Sequence, residues 1–184
     1  PKARKNSSGL RGRRHVKQMA QKLGIIAGNG RFPFLVLDAA RSLGRDVVVI
    51  GIKEEADTDI ETAAAKTGAP VHWVSIGQLG TFLKILEDNQ VTQALMAGQV
   101  KHIKIFGGFV PDLTAMSLLG RLKGMNTDAL IGAVADLMRE HGVELINSAA
   151  LLEPLLAAEG QLTDRVLSEA ERKDVEFGYR MADT

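Results

Sequence analysis

The sequence predicts an α/β fold, namely an open, mostly parallel sheet with helices on both faces. Two observations lead to this prediction. From Leu23 onward, short apolar runs alternate with amphipathic stretches, and such alternation indicates right-handed βαβ crossovers. The run Val47–Ile52 is also rich in β-branched residues, which is typical of a strand buried on both faces.

Four strands and two helices are predicted in the first half of the chain. The helix Pro33–Ser42 is expected because proline suits the first helical turn and Gly44 can end the helix. The helix Leu79–Asp88 carries apolar residues at helical spacing. Ligands of parallel sheets bind at the carboxyl ends of the strands, so the loops after the four strands should border one cleft. The predicted strands are Leu23–Ala27, Val47–Ile52, Val71–Ile76 and Ala94–Ala97.

The pattern becomes less regular beyond Gly98, where glycine and proline interrupt it. Short helices are predicted over Leu113–Leu122 and Leu151–Ala158, with a strand over Val143–Ile146 between them. Thr127 is the predicted N-cap of a further helix that runs to His141.

The last predicted helix begins at a capping box of Ser168 and Glu171 and runs toward Ala182. Three segments are therefore expected. They are a basic leader over 1–22, a nucleotide-facing α/β domain over 23–163, and a helical segment over 164–184 that leads to a C-terminal domain absent from this chain.

Composition excludes several functional classes. Of the 184 residues, 45% are hydrophobic, which is too many for a disordered chain, and no apolar run is long enough for a membrane-spanning helix. The chain has no cysteine, so disulfides, cysteine-bound zinc and a thiol nucleophile are ruled out. With only 4% aromatic residues, a stacking platform for single-stranded nucleic acid is not expected.

Charge is distributed unevenly along the chain. Residues 1–22 contain eight of the 23 Lys and Arg residues and no acid, which leaves the remainder with a net charge of −7. This acidic remainder argues against nucleic-acid binding. The leader is interpreted as an extension upstream of a native start at Met19, and the alternative is a tether to an anionic membrane surface.

The first predicted loop contains a glycine-rich turn between a strand and a helix. Gly28 and Gly30 should bare backbone N–H groups to an anion at the helix N-terminus, with Asn29 adding a hydrogen bond. Pro33 replaces the third glycine of a dinucleotide-binding fingerprint. Three interpretations stay open: a phosphate or nucleotide-sugar site, a dinucleotide site with Glu54 as the ribose-binding acid, and a purely structural turn.

Other loops carry weaker signals. The helix start at 77–81 also contains glycine, but glycine is common there. Gly98, Gln99 and Lys101 follow the fourth strand and could meet a phosphate, or could simply form a solvated basic loop. Asp128 could hold Mg²⁺ through its carboxylate oxygens, and helix-capping electrostatics explains it equally well. The four histidines show no metal-ligand spacing.

Five segments together resemble the UDP-2,3-diacylglucosamine pyrophosphatase family of lipid A biosynthesis, of the type unrelated to calcineurin-like phosphoesterases. The resemblance runs from about Leu23 to the end and rests on the order and spacing of the segments. They are GIIAGNGRFP at 24–33, IGQLGTFLKIL at 76–86, MAGQVKH at 96–102, NTDALIGAVADLMREHGVELINSAALLEPLLAAEGQLT at 126–163 and SEAERKDVEFGYRMA at 168–182.

The resemblance implies a Rossmann-like domain of a Mg²⁺-dependent hydrolase. Its substrate would be UDP-2,3-diacylglucosamine, which is split to UMP and 2,3-diacylglucosamine 1-phosphate on the cytoplasmic side of the inner membrane. A peripheral contact with that membrane and assembly into a homo-oligomer are further expectations. The positions that match the family pattern are Gly28, Asn29, Gly30, Gly98 and Asp128, and the catalytic residues are expected in the C-terminal domain.

Two alternatives to the hydrolase stay open at this stage. One is a non-catalytic α/β domain that binds a nucleotide or phosphate, since the sequence shows no nucleophile or general base. The other is a nicotinamide-dependent oxidoreductase, which Pro33 disfavours.

Overall fold

Five parallel strands form the sheet of the computed structural model, which describes residues 21–100, 110–122, 126–157, 160 and 162–183. The strands are β1 Lys22–Ala27, β2 Val47–Ile52, β3 Val71–Val74, β4 Val91–Ala97 and β5 Glu144–Leu145. Their order is β3-β2-β1-β4-β5, and every neighbouring pair is parallel. The order reverses between β1 and β4, which makes this junction the topological switch point of the sheet.

Six α-helices lie in the described part of the chain. They are α1 Phe32–Ser42, α2 Asp59–Ala65, α3 Leu79–Asp88, α4 Leu113–Arg121, α5 Thr127–Glu140 and α6 Glu169–Ala182. Two 3₁₀ turns, Ser148–Leu151 and Glu153–Leu155, follow β5. Among the described residues, no helix is both long and apolar enough to cross a lipid bilayer.

Alternate residues of the central strands face two separate cores, because side chains in a strand point to opposite faces in turn. Ile26 and Ile50 belong to one buried cluster with Phe82 of α3, and residues of α4 and α5 complete that cluster. Helix α1 contacts β1, β2, β4 and α2 instead, and its buried side chains do not belong to that cluster. The Rossmann-like α/β prediction, with helices on both faces, is therefore confirmed.

Several predicted boundaries shift because side chains satisfy backbone groups. Strand β3 ends at Val74 rather than Ile76, since the N–H of Ser75 donates to Oε1 of Gln78 instead of a neighbouring strand. The N-cap of α5 is Asn126, whose Oδ1 accepts from the N–H of Ala129 at 2.7 Å. The prediction of Thr127 as this cap is wrong by one residue.

Other elements differ from the prediction for reasons of pairing and backbone conformation. Strand β4 begins at Val91 rather than Ala94, because Val91 pairs with Lys22 beyond a register shift. The single helix predicted from Leu151 is replaced by the two 3₁₀ turns, and the extended backbone of Leu156 ends the second one. Helix α2 was not predicted, since its short alanine-rich sequence shows no helical apolar period.

The chain divides into two compact units between Leu151 and Leu152. In the second unit, α6 begins at the predicted capping box: the backbone N–H of Ser168 donates to Glu171, and the N–H of Glu171 donates to Oγ of Ser168. The hydrogen bond from the Ser168 backbone holds the pKa of the Glu171 carboxyl below its usual value. The limits expected at 23–163 and 164–184 stay predictions, and residues 1–20 of the basic leader lie outside the described residues.

A glycine in the sheet makes room for the chain's one tryptophan. Gly51 of β2 is paired with Trp73 of β3, and a Cβ at Gly51 would lie 2.6 Å from the Trp73 ring. The indole N–H of Trp73 donates to Glu61 of α2. At the edge of the sheet, the Trp73 ring therefore packs over the backbone of Gly51 and donates a hydrogen bond to the carboxylate of Glu61.

We expect Gly51→Ala to lower the free energy of unfolding by about 1–3 kcal/mol, because the added methyl displaces a hydrogen-bonded indole. The variant should also change the intrinsic fluorescence, since Trp73 is the only tryptophan. Gly132→Ala in α5 is the control: no described atom comes within 4 Å of the new methyl, so the substitution should stabilise the helix by about 0.5–1 kcal/mol. Urea denaturation followed by fluorescence and circular dichroism measures both, and equal stabilities would contradict this account of Gly51.

Candidate functional site

A cleft of about 320 Å³ opens at the carboxyl ends of the first four strands. Each of these strands contributes at least one apolar side chain near its end, and α3, α4 and α5 supply further walls. This is the edge of a parallel sheet where ligands bind, as predicted from the order of the elements. The strand residues that line the cleft are Ile26, Ile52, Val74, Met96 and Ala97.

The helical walls of the cleft are mostly apolar. Helix α5 lines it with Thr127, Leu130, Ile131 and Val134, which fall on one helical face because they follow i, i+3, i+4 and i+7 spacing. Leu118 of α4 and residues of α3 face the same space. The sequence analysis did not assign this surface to a site, although the spacing within α5 could have identified it.

The glycine-rich loop after β1 is tied to the loop after β4. The N–H of Gly28 donates to the carbonyl of Ala97 at 2.8 Å. Asn29 and Gln99 then form an antiparallel bridge, in which the N–H of each donates to the carbonyl of the other at 2.8 and 3.0 Å. We call this pair the Asn29–Gln99 bridge.

The bridge explains why residues 28 and 98 are glycines. A Cβ at Gly28 would lie 2.7 Å from the Gln99 carbonyl oxygen, and one at Gly98 would lie 2.5 Å from that of Asn29. Gly98 also has a φ of +91°, a conformation that side chains disfavour. These two glycines allow two backbone segments to touch at the switch point, and both line the cleft.

This geometry corrects the predicted phosphate cradle in one respect. The N–H groups of Gly28 and Asn29 are already used within the protein, so they cannot also donate to an anion. Within the described part of the chain, the N–H groups of Gly30, Arg31 and Phe32 at the start of α1 have no hydrogen-bond acceptor. Any capacity of this loop to bind an anion therefore lies at residues 30–32.

The remaining predicted site residues do not form one cluster among the described residues. Gln99 is exposed beside the bridge, and Lys101 lies outside the described residues, together with 102–104. Asp128 is exposed in the first turn of α5. Across 21–100, 110–122 and the other described ranges, no group of three or more His, Cys, Asp and Glu residues could hold a metal ion. Asp128 as a metal-binding residue therefore stays a prediction.

Glu54, the acid considered for ribose binding, joins two loops at the rim of the sheet. Its Oε2 accepts from the N–H of Ile76 at 3.3 Å. Ile76 itself lines the cleft. Glu54 therefore helps to fix the loop after β3 in place, which is a structural role.

Asp112 is a carboxylate that the sequence analysis missed. Its Oδ1 caps α4 by accepting from the N–H of Ala115 at 2.8 Å. Its Oδ2 accepts from the N–H of Gly80 in the first turn of α3 at 2.7 Å. One N–H of the second glycine-bearing helix start is thus already bonded to a carboxylate of the same chain, whose negative charge disfavours an external phosphate there. The capping half of this arrangement could have been read from an Asp just before the apolar run at Leu113.

Gly98→Ala should lower the free energy of unfolding by at least about 2 kcal/mol, since it adds a backbone clash to a strained φ. Gly30→Ala is the matched comparison, because Gly30 has a φ of +97° and open space around its Cβ position. It should cost only about 1–2 kcal/mol, the strain of the backbone angle alone. Chemical denaturation compares the two, and equal losses would show that the contact at the bridge is unimportant.

Asp112→Ala should destabilise the protein by about 2–3 kcal/mol, because two helix N-termini lose a charged acceptor at once. Asp88→Ala is the control, since Asp88 is exposed and makes only an i,i+4 ion pair with Lys84. The loss of this ion pair should lower the free energy of unfolding by no more than about 0.5 kcal/mol. Thermal unfolding of both variants measures the difference, and a small effect at Asp112 would refute its role at two helices.

Solved structures with related folds include nucleotide-dependent enzymes at low identity. UDP-glucose-4-epimerase from Stenotrophomonas maltophila is 16% identical, with a TM-score of 0.45 over 68% of this chain and 35% of that one. UDP-glucose 4-epimerase from Bifidobacterium longum is 13% identical, with a TM-score of 0.44 over 89% and 50%. Leucoanthocyanidin reductase from Vitis vinifera is 16% identical, with a TM-score of 0.44 over 69% and 35%.

Sequence comparison is more specific. The chain is 26% identical over 147 residues to the UDP-2,3-diacylglucosamine pyrophosphatase LpxI of Caulobacter vibrioides, a match that covers 77% of this chain and 49% of the relative. The chain thus spans about half the length of that relative. Residues 22–155 match the family described as the LpxI N-terminal domain. Since this match includes the whole sheet and the cleft, the chain belongs to the LpxI N-terminal domain family.

Proposed function

We propose that this chain is the nucleotide-facing part of an enzyme that hydrolyses UDP-2,3-diacylglucosamine to UMP and 2,3-diacylglucosamine 1-phosphate in lipid A biosynthesis. The observation that carries the proposal is the family membership over residues 22–155. The Caulobacter vibrioides relative, whose name states this pyrophosphatase activity, supports it.

We place the diphosphate of the nucleotide at the N-terminus of α1. The N–H groups at residues 30–32 and the positive end of an eleven-residue helix favour an anion there. Arg31 is exposed at the same point. Asn29 and Gln99, both exposed and joined by the bridge, would offer amide side chains, and Lys101 would follow two residues later.

We expect the catalytic residues to lie outside the described part of this chain, in the C-terminal domain of the enzyme. From the family membership we also propose a magnesium-dependent enzyme that acts at the cytoplasmic face of the inner membrane and in which this domain binds the nucleotide. Mg²⁺ would offset the charge of the pyrophosphate. Asp128 would offer it one exposed carboxylate, and the described residues contain no group of three or more His, Cys, Asp and Glu that could hold it alone.

A second candidate is a non-catalytic nucleotide-binding domain. It is favoured by the lack, among the described residues, of a cluster of acidic or histidine side chains that could activate water. The nicotinamide-dependent alternative is disfavoured, because Pro33 stands where a dinucleotide-binding fingerprint has its third glycine.

Calorimetric titration with UMP, with and without Mg²⁺, tests the binding half of the proposal. Arg31→Gln should weaken UMP binding about tenfold, the loss of one charged hydrogen bond. Arg41→Gln, at the exposed far end of the same helix, is the control and should bind like the parent chain. A folded parent chain that binds no UMP would contradict the proposal.

Release of UMP from UDP-2,3-diacylglucosamine distinguishes the two candidates. Turnover by the chain alone would eliminate the non-catalytic domain. Binding without turnover is the result expected if catalytic residues lie elsewhere in the enzyme.

A further inference from the structure

A second cavity, of about 260 Å³, lies at the amino ends of β2 and β3, whereas the cleft lies at the carboxyl ends of these strands. The last turn of α1 and the turn that follows α2 border it, and the buried residues Leu37 and Val47 give it an apolar part. Its volume is below the usual range for drug-sized ligands, so it suits a small molecule. We call it the amino-end cavity.

Charged groups of both signs line the amino-end cavity without neutralising each other. They are Arg41, Arg45 and Asp46. Within the described ranges, neither arginine forms an ion pair with Asp46, and the guanidinium of Arg41 has no hydrogen-bond or ion-pair partner. Asp46 pairs with Lys22, with 4.0 Å between Oδ2 and Nζ, and 62% of its side chain is exposed. Both signs of charge are therefore available to a ligand.

Arg45 is held in position by neighbouring side chains. Its Nη2 donates to Oε1 of Gln93 at 2.9 Å, and Nε2 of Gln93 donates in turn to Oε2 of Glu144 at 3.1 Å. Its Nε and Nη1 have no acceptor among the residues that the structure describes. A guanidinium that is fixed on one side and open on the other is prepared to bind a carboxylate through two parallel hydrogen bonds.

Two helix ends complete the electrostatics of the amino-end cavity. The C-terminal end of a helix carries about half a negative charge, and the C-terminal ends of α1 and α2 both border the cavity. Together with two arginines and one aspartate, they bring its total charge close to zero. Such a lining disfavours a polyanion such as a nucleotide. It favours a ligand that is neutral overall and carries two separate charges, because each charge then meets its complement.

We infer that the amino-end cavity binds a small zwitterion of the α-amino-acid type. Its carboxylate lies at Arg41 and Arg45, and its ammonium group lies at Asp46. An α-amino acid carries both charges on one carbon atom, and Arg45 and Asp46 are consecutive in the chain, so one small molecule meets both. The inference is independent of the proposed function, since this cavity and the start of α1 share no residue.

The experiment is titration of the full chain with L-alanine at neutral pH, followed by the chemical shifts of the backbone amides. Saturable shifts are expected at Gly44 and Gly68, which line the cavity. N-acetyl-L-alanine lacks the ammonium group and L-alaninamide lacks the carboxylate, so each should bind at least about tenfold more weakly, the effect of one lost charged hydrogen bond. Equal binding of either derivative would overturn the inference, and so would shifts that do not saturate below about 10 mM L-alanine.

A matched pair of variants locates the carboxylate of the ligand. Arg41→Gln should weaken L-alanine binding at least about tenfold. Arg121→Gln is the control, because Arg121 is likewise an exposed arginine in the last turn of a helix but does not line the amino-end cavity. Equal effects of the two substitutions would remove Arg41 from the site.

Asp46→Asn separates a binding role of Asp46 from a structural one. It should weaken the binding of L-alanine, whose ammonium group loses its partner. It should strengthen the binding of N-acetyl-L-alanine, because a negative charge is removed from a cavity that receives only a carboxylate. Weakening of both ligands to the same extent would contradict the assignment. The comparison of L-alanine with its two derivatives needs no variant, so it decides the matter if a substitution disturbs folding.

Discussion

A contact between two stretches of backbone joins the two halves of the sheet at its switch point. Gly28 and Gly98 carry no Cβ, and only this lets the loops after β1 and β4 meet in the Asn29–Gln99 bridge. In an open α/β sheet the same position is usually a crevice that receives a ligand. Here main chain joins two loops at that position, and Gly28 and Gly98 also line the cleft beside it.

Two helix starts that look alike in the sequence consequently have different roles. At α3, the carboxylate of Asp112 already accepts from Gly80, so the positive end of the helix dipole is matched by the protein's own charge. At α1, the N-cap residue Arg31 offers no side-chain acceptor. A glycine before a helix therefore indicates an anion site only when nothing in the same chain reaches the first turn.

The sequence predicted the features that depend on neighbouring residues. The β-branched run of β2 has the predicted bounds, and the capping box lies where the three-residue spacing of Ser168 and Glu171 predicts it. It did not reveal features that depend on distant ones. Asp112 and Gly80 are 32 residues apart in the chain. Asn29 and Gln99, which form the bridge, are farther apart still. Periodicity describes which face a residue occupies, but a hydrogen bond between two loops leaves no period in the sequence.

Because the Asn29–Gln99 bridge is made of main-chain atoms, it constrains which substitutions the two loops tolerate. Its contacts are hydrogen bonds between main-chain atoms, so they are independent of side-chain identity once both glycines are present. Arg31 precedes α1 and Ile131 lies on α5, and the two do not share a partner in the described structure. Substitutions at such separate positions usually have additive effects. A change at either residue is therefore expected to leave the other in place, whereas a change that separates the loops of the bridge would disturb both the start of α1 and the wall of the cleft.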